Sequence, residues 1–176
     1  MEDLRLPKRL QDEPVAANLA RQLATRARSL RNDGEIQAAQ IEVFPALEAV
    51  LRATFSAGRI VRGFETAERV LAAEEKGLKH VDRTSGVERG GRVSRLLVLA
   101  DDGSERFYRE VEYLLRRHAP RVLALRLAVN ELSLGQLIFG PGQVARLLLV
   151  EHKDAVSAVL LALASHWSEE ENPPPC

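Results

Sequence analysis

The sequence has little cysteine, no net charge and no long apolar run, and each absence excludes a class of protein. Its one cysteine, Cys176, ends the tail "NPPPC", which excludes an internal disulfide or a cysteine metal cluster and suits a reducing compartment. Twenty-five basic residues balance twenty-five acidic ones, so attraction to nucleic acid must come from a local patch. No run approaches about 18 apolar residues, and the first residues lack the apolar segment of a secretory signal. We therefore expect a soluble cytoplasmic protein with no membrane partner.

What is present is enough apolar sequence for one folded domain with a helical extension. The chain has 176 residues, of which 45% are hydrophobic, and this length suits a single core. Apolar residues at helical spacing predict a first amphipathic helix that ends at the "NDG" turn; they are Val15, Leu19, Leu23, Ala27 and Leu30. Pro45 interrupts the next apolar run and fits the first turn of a helix that ends near Ser56. We expect a helical extension over residues 1–43.

From Arg59 onward, short strands alternate with helices. The stretches "RIV", "SRLLVLADD", "RVLALRLAV" and "ARLLLVEH" predict strands, and helical patterns follow each of them. The polar, glycine-rich stretch from His80 to Arg92 predicts a flexible surface loop. Parallel strands need helical crossovers, which cover both faces of a sheet. We therefore expect an α/β fold, a three-layer α-β-α sandwich with a small mixed sheet over residues 44–167, preceded by N-terminal helices and followed by a disordered tail over residues 168–176.

Four stretches resemble one known group of proteins. They are "FPALEAVLRATFSAGRIVRGFETAERVL", "RLLVLADDGSE", "NELSLGQLIFG" and "VARLLLVEHKDAVSAVL". Together they are similar to the ribosomal kink-turn-binding superfamily, most closely to its bacterial YlxQ-like branch. The similarity covers roughly residues 44–164 and rests on element order and short glycine signatures. It implies a non-catalytic, RNA-binding protein whose partner is a structured RNA, such as ribosomal RNA.

The resemblance also implies where RNA would bind. A glycine turn before a helix places backbone amides where they can meet phosphates. The family's turn reads Gly-x-Asn-Glu; here Gly63 matches, Glu65 matches only with a one-residue gap, and the asparagine has no counterpart. A second contact loop precedes the last strand and is apolar enough to pack against an unstacked base. The implied RNA-binding residues are Arg62, Gly63, Glu65, Arg69, Ile138, Phe139 and Gly140, with Pro141 in the same loop.

Two other interpretations explain the same residues. In the first, Gly63 only joins a strand to a helix, Glu65 is a carboxylate favoured by the helix dipole, and the nearby arginines are solvated or paired with Glu65 and Glu68. In the second, the protein is an interaction or assembly module that binds a protein partner through the apolar stripe of its N-terminal helices.

The sequence offers no catalytic or metal-binding set. Asp101 and Asp102, with Lys153, resemble part of a response-regulator receiver site, but the strand "RVLALRLAV" has no aspartate at its end to accept a phosphoryl group. The histidines lack metal-ligand spacing; they are His80, His118, His152 and His166. "GPGQ" lacks the Gly-Lys-Ser/Thr of a phosphate loop. We expect no enzymatic activity, no metal and no cofactor.

Overall fold

A six-stranded mixed sheet forms the middle layer of the protein. The fold is that of a computed structural model, which describes residues 4–85 and 91–171. The strands are β1 (Ala27–Ser29), β2 (Gln37–Ile41), β3 (Ile60–Arg62), β4 (Arg95–Leu99), β5 (Val122–Leu127) and β6 (Leu147–Val150). Their order across the sheet is β1-β2-β5-β4-β6-β3. The β2–β5 and β5–β4 pairs are parallel, and the other three pairs are antiparallel.

Helices cover both faces of the sheet. They are α1 (Leu19–Thr25), α2 (Pro45–Ser56), α3 (Phe64–Ser85), α4 (Glu105–His118), α5 (Glu131–Phe139) and α6 (Lys153–Glu171), and two 3-10 helices, Lys8–Leu10 and Pro14–Ala16, precede them. One core cluster joins α1, α2, α5 and α6 to one sheet face, and a second joins α3 and α4 to the other. This confirms the predicted three-layer α/β sandwich with a mixed sheet.

Local signals read from the sequence set several helix ends. Pro45 occupies the first turn of α2, where a missing amide costs no hydrogen bond. The side chain of Ser104 accepts a hydrogen bond from the Phe107 amide at 3.2 Å and caps α4. Asn130 caps α5 in the same way, through the Ser133 amide at 2.8 Å. Helix α2 therefore begins where the sequence predicts, and α4 and α5 begin at side-chain caps.

The predicted all-helical extension over residues 1–43 is wrong in its second half. The first helix ends at Thr25, and the chain then forms the antiparallel β1–β2 hairpin. Strand β2 pairs in parallel with β5, so the sheet crosses the predicted boundary at residue 43. Ala38 and Ala39 are each 1% exposed. The chain forms a strand here because β2 pairs with β5 and is covered by helices on both faces. This tertiary context outweighs the helical spacing of the flanking apolar residues.

Two helices continue beyond their predicted ends. The chain from His80 to Ser85 belongs to α3 rather than to a surface loop. Glu74 bonds to Arg95 at 2.7 Å and to Arg121 at 2.9 Å, and these side-chain pairs fix the second half of α3 against the sheet end. Helix α6 includes residues 168–171, which the sequence assigned to a disordered tail. Residues 86–90 and 172–176 of these two predicted segments lie outside the described residues.

Candidate nucleic-acid interface

The glycine turn between β3 and α3 has the conformation that its sequence predicts. Gly63 has a φ of +91°, in the left-handed region that favours glycine. Its amide donates to the Leu147 carbonyl at 2.9 Å, and its own carbonyl accepts from the Ala67 amide at 3.1 Å. The turn is thus joined to β6 on one side and starts α3 on the other. A Cβ atom built on Gly63 would have no neighbour within 4 Å, so the surface above the turn is open.

The loop after α5 crosses its own helix at Gly135. A Cβ atom at this buried position would lie 2.3 Å from the Gln143 carbonyl oxygen and 2.5 Å from the Val144 Cα. No side chain fits at that distance, so the loop can lie there only because residue 135 is glycine. The "LG" signature of the sequence therefore positions the loop from Gly140 to Val144.

The structure brings the two predicted contact regions together. Arg62 Nη1 donates to Gln143 Oε1 at 3.1 Å, and the Arg62 guanidinium carbon lies 5.0 Å from the centroid of the Phe139 ring. That distance is within the range of a cation–π contact. The glycine turn and the loop after α5 therefore form one continuous surface.

A second aromatic side chain completes this surface. The Phe55 ring meets the Phe139 ring edge to face, with centroids 4.9 Å apart, and Phe55 is 38% exposed. Together with Arg52 and Pro141, the two rings line an open groove of about 600 Å³. Phe55 was not predicted as a site residue, and the sequence signal for its exposure is its place in the last turn of α2, just before Gly58.

The remaining predicted residues differ in what they present at the surface. Ile138 is 6% exposed and belongs to the core, so its side chain supports the loop from below and offers no surface for an RNA base. Glu65 and Arg69 are exposed on the first turns of α3. Within the described part of the chain, neither is joined to Arg62 or Phe139 by a hydrogen bond or an ion pair.

The charge of the arginines here is not balanced by local carboxylates. Among residues 4–85 and 91–171, no ion pair forms at Arg62 or Arg69, including with Glu65 or Glu68. Elsewhere many arginines are paired: Arg52, at the edge of the groove, lies 2.8 Å from Glu48. Of the two alternatives for these arginines, pairing with Glu65 or Glu68 is not seen among the described residues, whereas the exposure of Arg62 and Arg69 agrees with solvated side chains.

Asp102 serves a structural role. Asp102 Oδ1 accepts the Glu131 amide at 3.0 Å, which holds the start of α5. The Tyr108 hydroxyl donates to the Ala100 carbonyl at 2.8 Å and accepts from the Gly103 amide at 3.1 Å, and burial raises the pKa of Tyr108. Lys153 follows β6 at the opposite end of the sheet, since Val150 pairs with Leu96 at the start of β4. The receiver-like triad is therefore not assembled.

The described residues hold neither a metal cluster nor a membrane-spanning helix. They contain no group of three or more histidine, cysteine, aspartate or glutamate side chains arranged to hold a metal ion. Across the same residues, every helix is too short or too polar to cross a membrane.

Comparisons with known proteins give a distant structural likeness. No family model matches the sequence, and no curated protein matches it. Among solved structures, the chain is similar to a protein with unknown function from Bacillus halodurans, at a TM-score of 0.41 and 16% sequence identity, over 66% of this chain and 98% of that one. At that identity and TM-score, the likeness carries no argument about function.

Proposed function

We propose that this protein is a non-catalytic RNA-binding protein that binds a structured RNA through the surface formed by Arg62, Phe55, Phe139 and the first turn of α3. We call this set the arginine–phenylalanine surface. One observation carries the proposal: an arginine with no carboxylate partner in the described structure lies against an aromatic ring, beside an open glycine turn that starts a long helix.

Each part of this surface has a chemistry that suits RNA. Proteins bind RNA largely at unstacked bases, which pack on aromatic rings and on guanidinium planes. Such stacking contributes about 1–3 kcal/mol per base, and Phe55 and Phe139 supply two rings in contact. Arginine binds phosphate through paired donors, and the first amides of a helix have no intrahelical partners. Arg62 and the start of α3 are thus suited to the phosphate backbone, and the rings to a base.

Our proposal includes a relationship to the ribosomal kink-turn-binding superfamily, and the order of helices and strands supports it. From α2 to α6 the helices and strands alternate in the sequence order expected from the resemblance. The glycine turn before α3 and the loop before β6 meet at one end of the sheet. A kinked stem in ribosomal RNA is the partner that this relationship suggests.

The stripe that motivated an assembly module is not available for a partner. Leu19 and Leu23 are fully buried in one core cluster, and Val15 packs against it. Leu30 is 2% exposed and lies in the core cluster on the other face of the sheet. These side chains hold the N-terminal segment against its own domain. The RNA-binding proposal is therefore the one that the exposed surface favours.

Crosslinking of the protein to RNA in cells, followed by sequencing of the recovered fragments, tests the proposal whichever RNA is bound. The variant is R62E/R69E, and the matched control is K76E/R109E, which reverses two exposed charges on α3 and α4. We expect the wild-type chain to enrich a structured RNA and the control to retain it. In R62E/R69E the amount of this RNA recovered should fall by about tenfold or more, because the reversed charges repel the phosphates that the arginines attract. Background recovery with the wild-type chain would overturn the proposal. Equal loss in both variants would refute the assignment of the surface.

A further inference from the structure

At the other end of the sheet, a cavity of about 290 Å³ collects positive charge from three separate segments. Lys8 and Arg9 come from the first 3-10 helix, Arg92 from the chain that leads into β4, and Lys153 from the start of α6. In the described part of the chain, Asp154 is the one acidic side chain that lines this cavity. We call these four cations the basic cluster.

Among the described residues, the basic cluster gathers four cations without carboxylate partners beside one cavity. Within residues 4–85 and 91–171, none of the four cations forms an ion pair. The carboxylate of Asp154 lies 3.7 Å from His152 Nδ1. The same ring nitrogen accepts a hydrogen bond from the Asp154 amide at 3.2 Å. By contrast, Arg95 and Arg121 both form ion pairs with Glu74. Four unpaired cations beside one cavity repel one another and favour an anion between them.

Two hydrogen bonds, one from a side chain and one from the backbone, join two of the three segments of the basic cluster. Arg92 Nη1 donates to the Leu6 carbonyl at 3.1 Å, and the Val93 amide donates to the Arg5 carbonyl at 2.9 Å. These two bonds fix the N-terminal segment beside the entry to β4. The cluster is thus assembled by the fold, which reduces the entropy lost when a ligand binds.

We propose that the basic cluster is a phosphate-binding site, separate from the arginine–phenylalanine surface. A phosphate group fits in a cavity of this size, and the start of α6, a helix of 19 residues, adds the partial positive charge of its dipole. Val150 ends β6 beside Leu96, whereas Arg62 lies at the end of the sheet where β6 begins. The phosphate belongs either to a nucleic-acid backbone or to a small free phosphate.

Titration of the full chain with inorganic phosphate, at ionic strength held constant with sodium chloride and followed by amide NMR, tests this proposal. We expect saturable shifts at residues 92–94 and 153–157, with affinity weakened about tenfold in K8Q/K153Q, which corresponds to about 1.4 kcal/mol. The control K76Q/R109Q removes the same charge from exposed sites on α3 and α4 and should bind as the wild type does. Shifts that do not saturate, or equal weakening in both variants, would overturn the proposal.

A second titration with a short RNA duplex identifies the source of the phosphate. Shifts of the same amides, reduced in K8Q/K153Q, assign the site to a nucleic-acid backbone; a response to inorganic phosphate alone assigns it to a small phosphate. Both results uphold a phosphate site. The R62E/R69E variant should bind inorganic phosphate normally, so failure of this inference is distinguishable from failure of the proposed function.

Discussion

Replacement of Gly135 by alanine should destabilise the protein, although alanine is the better helix former. The new methyl group would lie 2.3 Å from the Gln143 carbonyl oxygen and 2.5 Å from the Val144 Cα. Both are backbone atoms, so relief requires the loop after α5 to move. Overpacking of this kind costs about 1–3 kcal/mol, whereas the helix gains about 0.5–1 kcal/mol. We expect the free energy of unfolding to fall by about 1 kcal/mol, the difference between the midpoints of these two ranges.

Gly77 supplies the matched control for this experiment. It is exposed inside α3, and a Cβ atom there would have no neighbour within 4 Å. G77A should therefore raise the free energy of unfolding by about 0.5–1 kcal/mol. Urea denaturation of both variants measures the contrast, and the reasoning is refuted if G135A is as stable as the wild-type protein. Movement of the loop would also displace Gln143 from Arg62, so G135A should weaken RNA binding.

Two further predictions concern buried charge and pH. Arg31 Nε lies 3.0 Å from Glu112 Oε2, and the Glu112 side chain is 3% exposed. Because R31M leaves this buried carboxylate without its partner, it should lower the free energy of unfolding, measured by denaturation, by about 3 kcal/mol. The double variant R31M/E112L removes the charge as well and should recover most of that loss. A small effect of R31M would argue against the pair. Burial lowers the pKa of His118 from 6.5. Below pH 6.5 the unfolded chain therefore takes up a proton at this residue that the folded chain does not, and the free energy of unfolding should fall as the pH drops. H118Q should flatten this dependence, and a wild-type profile already flat between about pH 7.5 and 5.5 would contradict it.

Local signals were enough to predict most elements from α2 to α6. Pro45, Ser104 and Asn130 act within one turn of their own helices, and the apolar runs of β4 to β6 are long enough to show that both sheet faces are covered. The hairpin of β1 and β2 could not be predicted in this way. Each strand is short, and the pairing that forms β2 comes from β5, more than 80 residues later in the chain. Leu30 also continued the helical spacing by coincidence.

The candidate interface could be predicted in its parts but not in its contacts. The glycine turn and the loop after α5 each have local sequence signals, yet Arg62 meets Gln143 across 81 positions of the chain. The burial of Ile138 and the exposure of Phe55 depend on how α5 and α2 pack, which no local pattern specifies. The basic cluster was missed for the same reason, since its cations come from three distant segments.

The most direct test of the central claim is to map where RNA touches the protein. The purified chain would be bound to the RNA recovered from cells and irradiated with ultraviolet light, and mass spectrometry would identify the peptides that carry nucleotide adducts. The account predicts adducts on Phe55, which is 38% exposed, and on the half-buried Phe139, which contacts both Phe55 and Arg62. Both adducts should be lost in R62E/R69E. Adducts confined to Tyr113, which is 63% exposed on α4, would contradict the account.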